Sequence, residues 1–444
     1  MRDIALFAVI FGALPFALFH PWIGAMLWTW VSLMNPHRLA WGAAFNFPFA
    51  AIVAGTTLLG LLLTRDRRSL PMTSPVIVLM LFVVWMCITS LFAIYPHLIG
   101  EMFSRVMKIQ LMVFVTLALI HTRKQLLIFL WIVALSIGFY GLKGGFFTLR
   151  GGGTNLVWGP AGSFIEGNNE LALAIIIVIP LLFYLRNLLR NALLRWGIVL
   201  AMVLCALAAL GSHSRGALLA IAAMCLQLWL RSRHKFVSGI ALVAIGMTLV
   251  AFMPEGWDRR METIETYQQD SSAMGRINAW MMAYHLAKDR PLGGGFEVTT
   301  PELFARYAPV PTDIHAAHSI YFEVLGEHGF LGLALYLLFW FTTWRSASWV
   351  AKNAARSEQT RWAVDLAKMS QVSLFGYFVG GAFLSLAYFD LPYDIMIIIV
   401  VSRVLVAKAL KTDQAAPSSV PSTRLAPMLE ASTRMNASER VHSS

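Results

Sequence analysis

The chain has 444 residues, of which 58% are hydrophobic and only 13% are charged, and its mean hydropathy is +0.66. A soluble globular chain carries about 25% charged residues, so this chain has too little polar surface to cover a water-soluble body. The net charge of +12 does not indicate nucleic-acid binding, because Lys and Arg form short clusters between apolar runs and no basic stripe on a soluble domain. The composition predicts a multi-pass membrane protein with no nucleic-acid partner.

The cysteines and the first apolar run give no sign of a disulfide, a metal site or a cleaved signal. Cys87, Cys205 and Cys225 each lie inside an apolar run and no CxxC pattern occurs, so we expect small buried hydrophobic residues. The run from Ile4 to Phe19 lacks a basic segment before it and a small-residue cleavage site. We expect this run to be retained as a membrane span.

Apolar runs that approach the length needed to cross a bilayer recur about twelve times. They lie at 4–33, 47–64, 75–94, 106–120, 125–142, 169–185, 196–211, 215–230, 237–253, 320–344, 366–388 and 393–409. The sequence therefore predicts an all-α polytopic membrane protein with about 12 transmembrane helices. Pro15 and Pro21 interrupt the first run, which is either one span or two short spans; two would move the N-terminus across the membrane.

Lys and Arg concentrate in alternate loops, and this asymmetry orients the chain. The basic set contains Arg65, Arg67, Arg68, Arg123, Lys124, Arg186, Arg190, Arg195, Arg231, Arg233, Lys235, Lys352, Arg356, Arg361, Lys408 and Lys411. The positive-inside rule places these loops in the cytoplasm, and we expect a multi-pass protein of the bacterial inner membrane. The other loops, 95–105, 143–168, 211–215, 254–318 and 389–392, are poorer in Lys and Arg per residue, and we expect them to be extracytoplasmic.

The domain organisation follows from these runs. We predict N-terminal transmembrane helices over 1–253, a long extracytoplasmic loop over 254–318, C-terminal transmembrane helices over 319–410 and a disordered cytoplasmic tail over 411–444. The tail is rich in Ser, Pro, Ala and Thr, which is typical of disorder. The long loop should contain a helix from about Ser271 to Lys288, broken by Pro291 and the glycines that follow. A structured loop of this length is more often functional than a passive connector.

The turn from Gly211 to Gly216 contains the first candidate functional residue. Arg215 begins an apolar run on the side opposite to the basic bias. A charge at that depth costs several kcal/mol unless it is paired or hydrated, so Arg215 calls for an anionic partner. The alternative is an arginine that extends to the headgroups and has no further role.

Gly275 and Arg276 begin the predicted helix of the long loop. Ile277, Trp280 and Met281 follow at spacings that suit a helix on the membrane surface or packed on the bundle. Arg276 then lies in the first turn. Its role is either to bind an anion or to be an ordinary solvated charge.

His318 lies where the long loop returns to the membrane. A pKa near 6.5 is usual for histidine and allows it to act as a base at neutral pH. Glu323 and Glu327 follow on one helical face, and a carboxylate there could orient the imidazole. A structural, hydrogen-bonded histidine is the simpler alternative. His315 and His318 could also be a metal pair, but no third ligand has suitable spacing nearby.

Two weaker signals lie on the same predicted side. Lys143 stands in a glycine-rich, basic stretch that runs to Gly153, where backbone amides could approach an anion. Asn168 and Asn169 open the next apolar run, and their amides could bind sugar hydroxyls or simply begin a helix. We consider Lys143, Asn168, Asn169 and Glu323 candidate substrate-binding residues.

These features together resemble a known group of membrane enzymes. The Ser214-Arg215-Gly216 turn, the long late loop and the stretch from His318 to Gly329 resemble the O-antigen ligase and polymerase superfamily. The N-terminal sequence carries a more specific similarity. Its segments 28–30, 35–38, 139–145, 157–160 and 168–172 are similar to those of O-glycosylation ligases found alongside exosortase A. The resemblance covers nearly the whole chain before the tail.

The resemblance implies a glycosyltransferase of the GT-C type. Such an enzyme takes a glycan from undecaprenyl diphosphate, transfers it to an acceptor hydroxyl of a protein or glycan outside the cytoplasm, inverts the anomeric carbon and uses no metal or other cofactor. Arginines bind the diphosphate and a loop histidine handles the acceptor. These roles correspond here to Arg215, Arg276 and His318.

Two other functions remain open at this point. A polysaccharide polymerase would use the same donor for both partners. A transporter or flippase of a cell-envelope precursor would place ionisable residues near the bilayer midplane and often shows repeated halves. Glu323, Asp390 and Asp394 could support transport, but most charges lie at the ends of runs and no repeat is visible.

Overall fold

The structure, a computed structural model, describes residues 1–64, 69–232, 234–251 and 271–415. In these ranges it is all-helical, with 15 α-helices and no strand. Arg65, Arg67, Arg68 and Arg233 of the predicted cytoplasmic loops lie outside the described residues, as do the first part of the late loop and the predicted tail from residue 416 onward.

The helices follow the predicted apolar runs closely. They are α1 (Arg2–Phe19), α2 (Pro21–Met34), α3 (Phe49–Leu63), α4 (Ser74–Leu91), α5 (Gly100–Leu119), α6 (Arg123–Arg150), α7 (Asn168–Leu188), α8 (Ala192–Gly211), α9 (Arg215–Arg231), α10 (Lys235–Ala251), α11 (Ser271–Asp289), α12 (Pro301–Tyr307), α13 (Ile320–Asn353), α14 (Trp362–Gly380) and α15 (Asp390–Ala415). The all-α fold and the loop helix α11 are confirmed.

Seven of the described helices are long and apolar enough to cross a membrane: α1, α4, α5, α6, α7, α8 and α13 with the turn that extends it. Helices α2 and α9 have 14 and 17 residues, which at 1.5 Å per residue gives about 21 and 26 Å, less than a hydrocarbon core of about 30 Å. Helices α14 and α15 are longer but carry charged residues. The total of about twelve spans therefore remains a prediction.

The first apolar run forms two helices that meet at His20 and Pro21. The start of α1 lies beside the segment after α2, because the Asp3 carboxylate accepts a hydrogen bond from the Ala44 amide at 3.0 Å. Gly60 of α3 packs against the other end of α1, where an added Cβ would lie 2.6 Å from the Leu18 carbonyl oxygen. The run thus forms two helices, with residues 3 and 44 at the same end, and that both helices cross the membrane stays a prediction.

The centre of the bundle is formed by helices that are buried on every side. Residues 171–178 of α7 and 390–402 of α15 are all buried. A helix that is hydrophobic all round belongs in such a position, and Leu171 to Val178 is an unbroken apolar run.

Helix α6 is longer than its predicted run, and this changes the interpretation of the glycine-rich stretch. It continues to Arg150, so the amides of 143–150 lie within a helix and are not free to approach an anion, whereas this expectation for Gly151 to Gly153 stays a prediction. The glycines instead allow α8 to come close. An added Cβ at Gly145 would lie 2.2 Å from the Leu204 carbonyl oxygen, and one at Gly144 would lie 3.0 Å from the Ala208 Cβ.

Helix α13 is broken at Gly329, which has φ 67° and ψ −171°. The late loop fills the break, because the amides of Gly294 and Gly295 donate to the carbonyls of Gly326 and Glu327, both at 2.9 Å. Carbonyl groups freed by a broken helix need such partners, especially away from water. The triple glycine of the sequence is therefore a docking segment as well as a helix stop.

Gly329→Ala should destabilise the protein strongly. The substitution puts a side chain at a positive φ and within 1.9 Å of the Pro291 carbonyl oxygen, so we expect a loss of about 2 kcal/mol or more. The measurement is thermal unfolding of the purified protein in detergent. Gly197→Ala is the matched control, because nothing lies within 4 Å of its added Cβ; equal midpoints for the two variants would contradict the role given to the break.

Candidate functional site

The turn before α9 is tied to two other helices. The Asn168 side-chain amide, at the start of α7, donates to the Ser212 carbonyl at 2.7 Å. His213 has a left-handed φ of 55°, and its Nε2 bonds the Gly153 carbonyl at 2.8 Å. Ser214 caps α9 by accepting from the Ala217 amide. Arg215 therefore begins α9 from a position fixed against α7 and the end of α6.

Helix α11 holds the segment that leads to His318. An added Cβ at Gly275 would lie 2.4 Å from the His315 ring, so this ring rests on the helix where only glycine fits. Asn278 donates to the carbonyls of Val310 and Asp313, both at 2.8 Å. Trp280 Nε1 donates to the Ala317 carbonyl at 2.6 Å. These contacts place Arg276, one residue after Gly275, beside the chain that carries His318.

The 3₁₀ turn Gly381–Phe383 connects the two parts of the site. An added Cβ at Gly216 would lie 3.5 Å from the Phe383 Cβ, and the Phe383 ring lies 6.4 Å from the Trp280 ring. Trp280 also stacks on Phe322 of α13, with ring centroids 5.0 Å apart. The starts of α9, α11 and α13 therefore lie at one end of the bundle, together with the three residues predicted to be catalytic.

Three helices present their N-terminal ends to this region. Helices α7, α9 and α13 begin at Asn168, Arg215 and Ile320. The first backbone amides of a helix lack partners within it and carry partial positive charge. Together with two guanidinium groups, such ends favour an anion such as a phosphate.

His318 is held in a backbone conformation that is uncommon for its residue type, with φ 41°. Its Nδ1 is buried and has no hydrogen-bond partner, and the same is true of the Oγ of Ser319 beside it. Buried polar atoms are nearly always hydrogen-bonded in folded proteins. Backbone strain and orphaned polar atoms tend to occur at functional sites, and both occur here at one loop–helix junction.

The surroundings of His318 keep its ring neutral. Burial, followed by the positive charges of Arg276 and His315, lowers the pKa of His318 below its usual value. Arg276 also interacts electrostatically with Glu170 in the first turn of α7. The imidazole is therefore available to accept a proton at neutral pH. Arg276 lies close to it, and the charge of Glu170 offsets part of the Arg276 charge.

The two glutamates of α13 have partners other than His318. The Glu323 carboxylate accepts from the Ala387 amide at 3.2 Å. Glu327 accepts from the Tyr388 hydroxyl at 2.5 Å and from the Glu297 amide at 3.3 Å. The expectation that one of these carboxylates orients the His318 imidazole is thus replaced by a role in holding the segment before α15. Substrate binding by Glu323 stays a prediction.

The other predicted substrate-binding residues are dispersed. Asn168 uses its amide to hold the turn before α9, and Asn169 follows it in the first turn of α7. Lys143 is exposed on α6 and lines a separate cavity with Arg2 and Arg38. Their substrate contacts remain predictions.

Some residues that shape the site were not singled out as site residues from the sequence. Trp280 bonds the loop before His318, Glu170 faces Arg276, and Phe383 bridges α9 and α11. Glu297 has a left-handed φ of 62°, and burial followed by the charge of Glu101 raises its pKa. A tryptophan one helical turn after Gly275-Arg276 was the available signal for Trp280. Nothing in the sequence indicates that residue 383 lies beside residue 216.

Two family models match the chain. Residues 200–337 match the O-antigen ligase family, and residues 1–189 match a family of unknown function called DUF5935. No curated protein matches the chain. With its apolar helices, the chain is a multi-pass membrane protein whose residues 200–337 are similar to the O-antigen ligase family. Arg215, Arg276 and His318 all lie in that matched segment, whereas Lys143, Asn168 and Asn169 lie in the segment that matches DUF5935.

Arg276→Gln should raise the pKa of His318. The substitution removes one of the positive charges that lower it, so the value should move up toward 6.5. The measurement is a pH titration of ¹³C-labelled histidines by NMR in detergent, with the His318→Gln spectrum used to assign the signal. Arg306→Gln is the control, because Arg306 is exposed and pairs with Asp289. A pKa that stays or falls in the Arg276 variant would contradict this electrostatic picture.

Proposed function

We propose that the protein is a membrane glycosyltransferase that moves a glycan from undecaprenyl diphosphate to an acceptor hydroxyl on the extracytoplasmic face. The observation that carries the proposal is the meeting of Arg276 with the His318 segment, at the end of the bundle where Arg215 begins α9. The match of residues 200–337 to the O-antigen ligase family supports the class of activity.

The leaving group determines what the arginines do. When the acceptor oxygen bonds to the anomeric carbon, the bond from that carbon to the phosphate oxygen breaks, and the diphosphate keeps the electron pair. Guanidinium groups bind phosphate oxygens through paired hydrogen bonds and remain charged. Arg215 and Arg276 would stabilise the departing charge, an effect worth about 2.7–4 kcal/mol per donor at comparable sites.

The acceptor determines what the histidine does. The attacking hydroxyl must lose its proton, and the neutral imidazole of His318 would take it. A positioned base contributes typically about 10²–10⁴-fold to the rate. Attack from the face opposite to the diphosphate inverts the anomeric carbon. Because the arginines supply the positive charge, the proposal requires no metal or other cofactor.

The donor's lipid would stay in the bilayer while its headgroup reaches the extracytoplasmic end, and the acceptor is a protein or a glycan. The N-terminal sequence is similar to those of O-glycosylation ligases, and this similarity supports an association of the protein with an exosortase system.

His318→Gln should abolish most transfer while the protein still folds and inserts. We expect a fall of about 10²–10⁴-fold, because only the proton acceptor is lost. Arg276→Ala should fall by about 10²–10³-fold, and Arg276→Lys should fall less because it keeps the charge but not the paired hydrogen bonds. The measurement is mass spectrometry of extracytoplasmic proteins and surface glycans in a strain that lacks the chain and expresses each variant.

Arg306→Ala is the matched control for these variants. Arg306 lies on the same late loop, with its side chain 69% exposed, so transfer should be unchanged. The amount of inserted protein is measured for each variant. Normal glycan transfer by the His318→Gln and Arg276→Ala proteins, when they are inserted in the membrane, would contradict the proposal.

A polymerase is the nearest alternative, because it uses the same donor chemistry with a second lipid-linked glycan as acceptor. The products distinguish the two. If the deletion strain loses long polymer but still attaches a single repeat to its acceptor, the protein is a polymerase. If attachment itself is lost, it is a ligase.

A transporter is the alternative from a different class, and the buried acids of α13 and α15 are its best support. Asp390 and Asp394 are 3% and 2% exposed, and ionisable residues inside a membrane protein are often functional. Asp390, however, accepts a hydrogen bond from Ser32, and Glu323 and Glu327 are bonded as described above. Ionophore-sensitive accumulation of a precursor in vesicles would favour transport over transfer.

A further inference from the structure

Two adjoining cavities lie between α1, the segment after α2, and α6. One is an apolar groove of about 490 Å³ lined by residues such as Leu6, Val9 and Phe139. The other is a cup of about 200 Å³ lined by Arg38, Trp158 and their neighbours. Arg2, Leu39 and Lys143 line both cavities. The two therefore form one amphipathic pocket, with an apolar part along the helices and a cationic part at their ends.

The three cations of the cup have no anionic partner among the described residues. Arg2 donates to the Leu39 carbonyl at 3.4 Å and Arg38 donates to the Asn46 side chain at 3.3 Å. The nearby acids are already engaged with backbone amides, Asp3 with Ala44 and Glu166 with Gly162. Positive charge at this end also runs against the basic bias of the cytoplasmic loops. A cluster of cations without carboxylate partners favours an anionic ligand.

We propose that this pocket binds an anionic phospholipid of the bilayer, with the phosphate in the cup and part of one chain in the groove. The groove is open to the lipid side, because Val9 and Phe139 are 56% and 36% exposed. Trp41 and Trp158 line the cup with 89% and 60% exposure, as tryptophans do at a membrane–water interface. A soluble anion would explain the cup but not the apolar groove that continues from it.

This pocket lies apart from the three residues proposed to be catalytic, although Lys143, which lines it, is also a predicted substrate-binding residue. It lies in the segment that matches the family of unknown function, and none of its lining residues is Arg215, Arg276 or His318. The two proposals can therefore fail independently.

Lipid retention measured by native mass spectrometry tests the site. The full-length protein in detergent is titrated with phosphatidylglycerol or with phosphatidylcholine of the same chains. We expect preferential retention of phosphatidylglycerol, and a loss of about tenfold or more in its affinity for the double variant Arg2→Gln, Lys143→Gln. Lys143→Glu is a single change at an exposed side chain, and it should weaken phosphatidylglycerol binding while leaving phosphatidylcholine binding unchanged.

The matched control removes two positive charges elsewhere. Arg150 and Arg306 are both exposed and line neither cavity, so Arg150→Gln, Arg306→Gln should retain phosphatidylglycerol normally. Equal retention of the two lipids by the unmodified protein would overturn the proposal. So would full displacement of phosphatidylglycerol by inorganic phosphate, which indicates an anion site only, or tighter binding of a polyprenyl monophosphate, which indicates a carrier-lipid site.

Discussion

The docking of the late loop into the broken helix α13 is the contact on which the candidate site depends. Gly294 and Gly295 satisfy the carbonyls that the break at Gly329 leaves open, and Trp85 Nε1 donates to the next carbonyl, that of His328, at 2.9 Å. An unsatisfied carbonyl in a membrane protein is costly. Hydrogen bonds from the late loop and from Trp85 of α4 therefore both stabilise this junction. It fixes where α13 begins relative to the end of α11.

From that junction the positions of the site residues follow. Helix α11 lies against the loop through Asn278 and Trp280, and the loop returns to α13 at His318. The turn at 381–383 then brings the start of α9 to the same end. The residues Arg215, Arg276 and His318 and three helix starts lie at one end of the bundle as a result. The proposed transfer would use this arrangement, with the arginines binding the diphosphate leaving group and the imidazole taking the proton of the acceptor hydroxyl.

The sequence predicted most helices to within a few residues, because long apolar runs in a membrane protein have few alternatives to helix. Its errors have identifiable causes. Helix α6 continues past Lys143 because Gly144 and Gly145 pack against α8, a packing use of glycine that composition does not separate from a loop. The role expected for the glutamates of α13 failed because their partners, Ala387 and Tyr388, come from a segment about 60 residues away.

What the sequence alone determined is that the chain is a helical membrane protein, where most of its helices lie, and which residue types the chemistry would need. The length of the apolar runs and the distribution of Lys and Arg among the loops are local properties of the sequence, and they are sufficient for these predictions. Only the tertiary structure decided that the first run is two helices, that Lys143 lines a different cavity from His318, and that the Arg276 charge lies beside the imidazole. Those facts depend on contacts between segments far apart in the chain, and close packing of side chains, which no local pattern encodes, selects among the possible contacts.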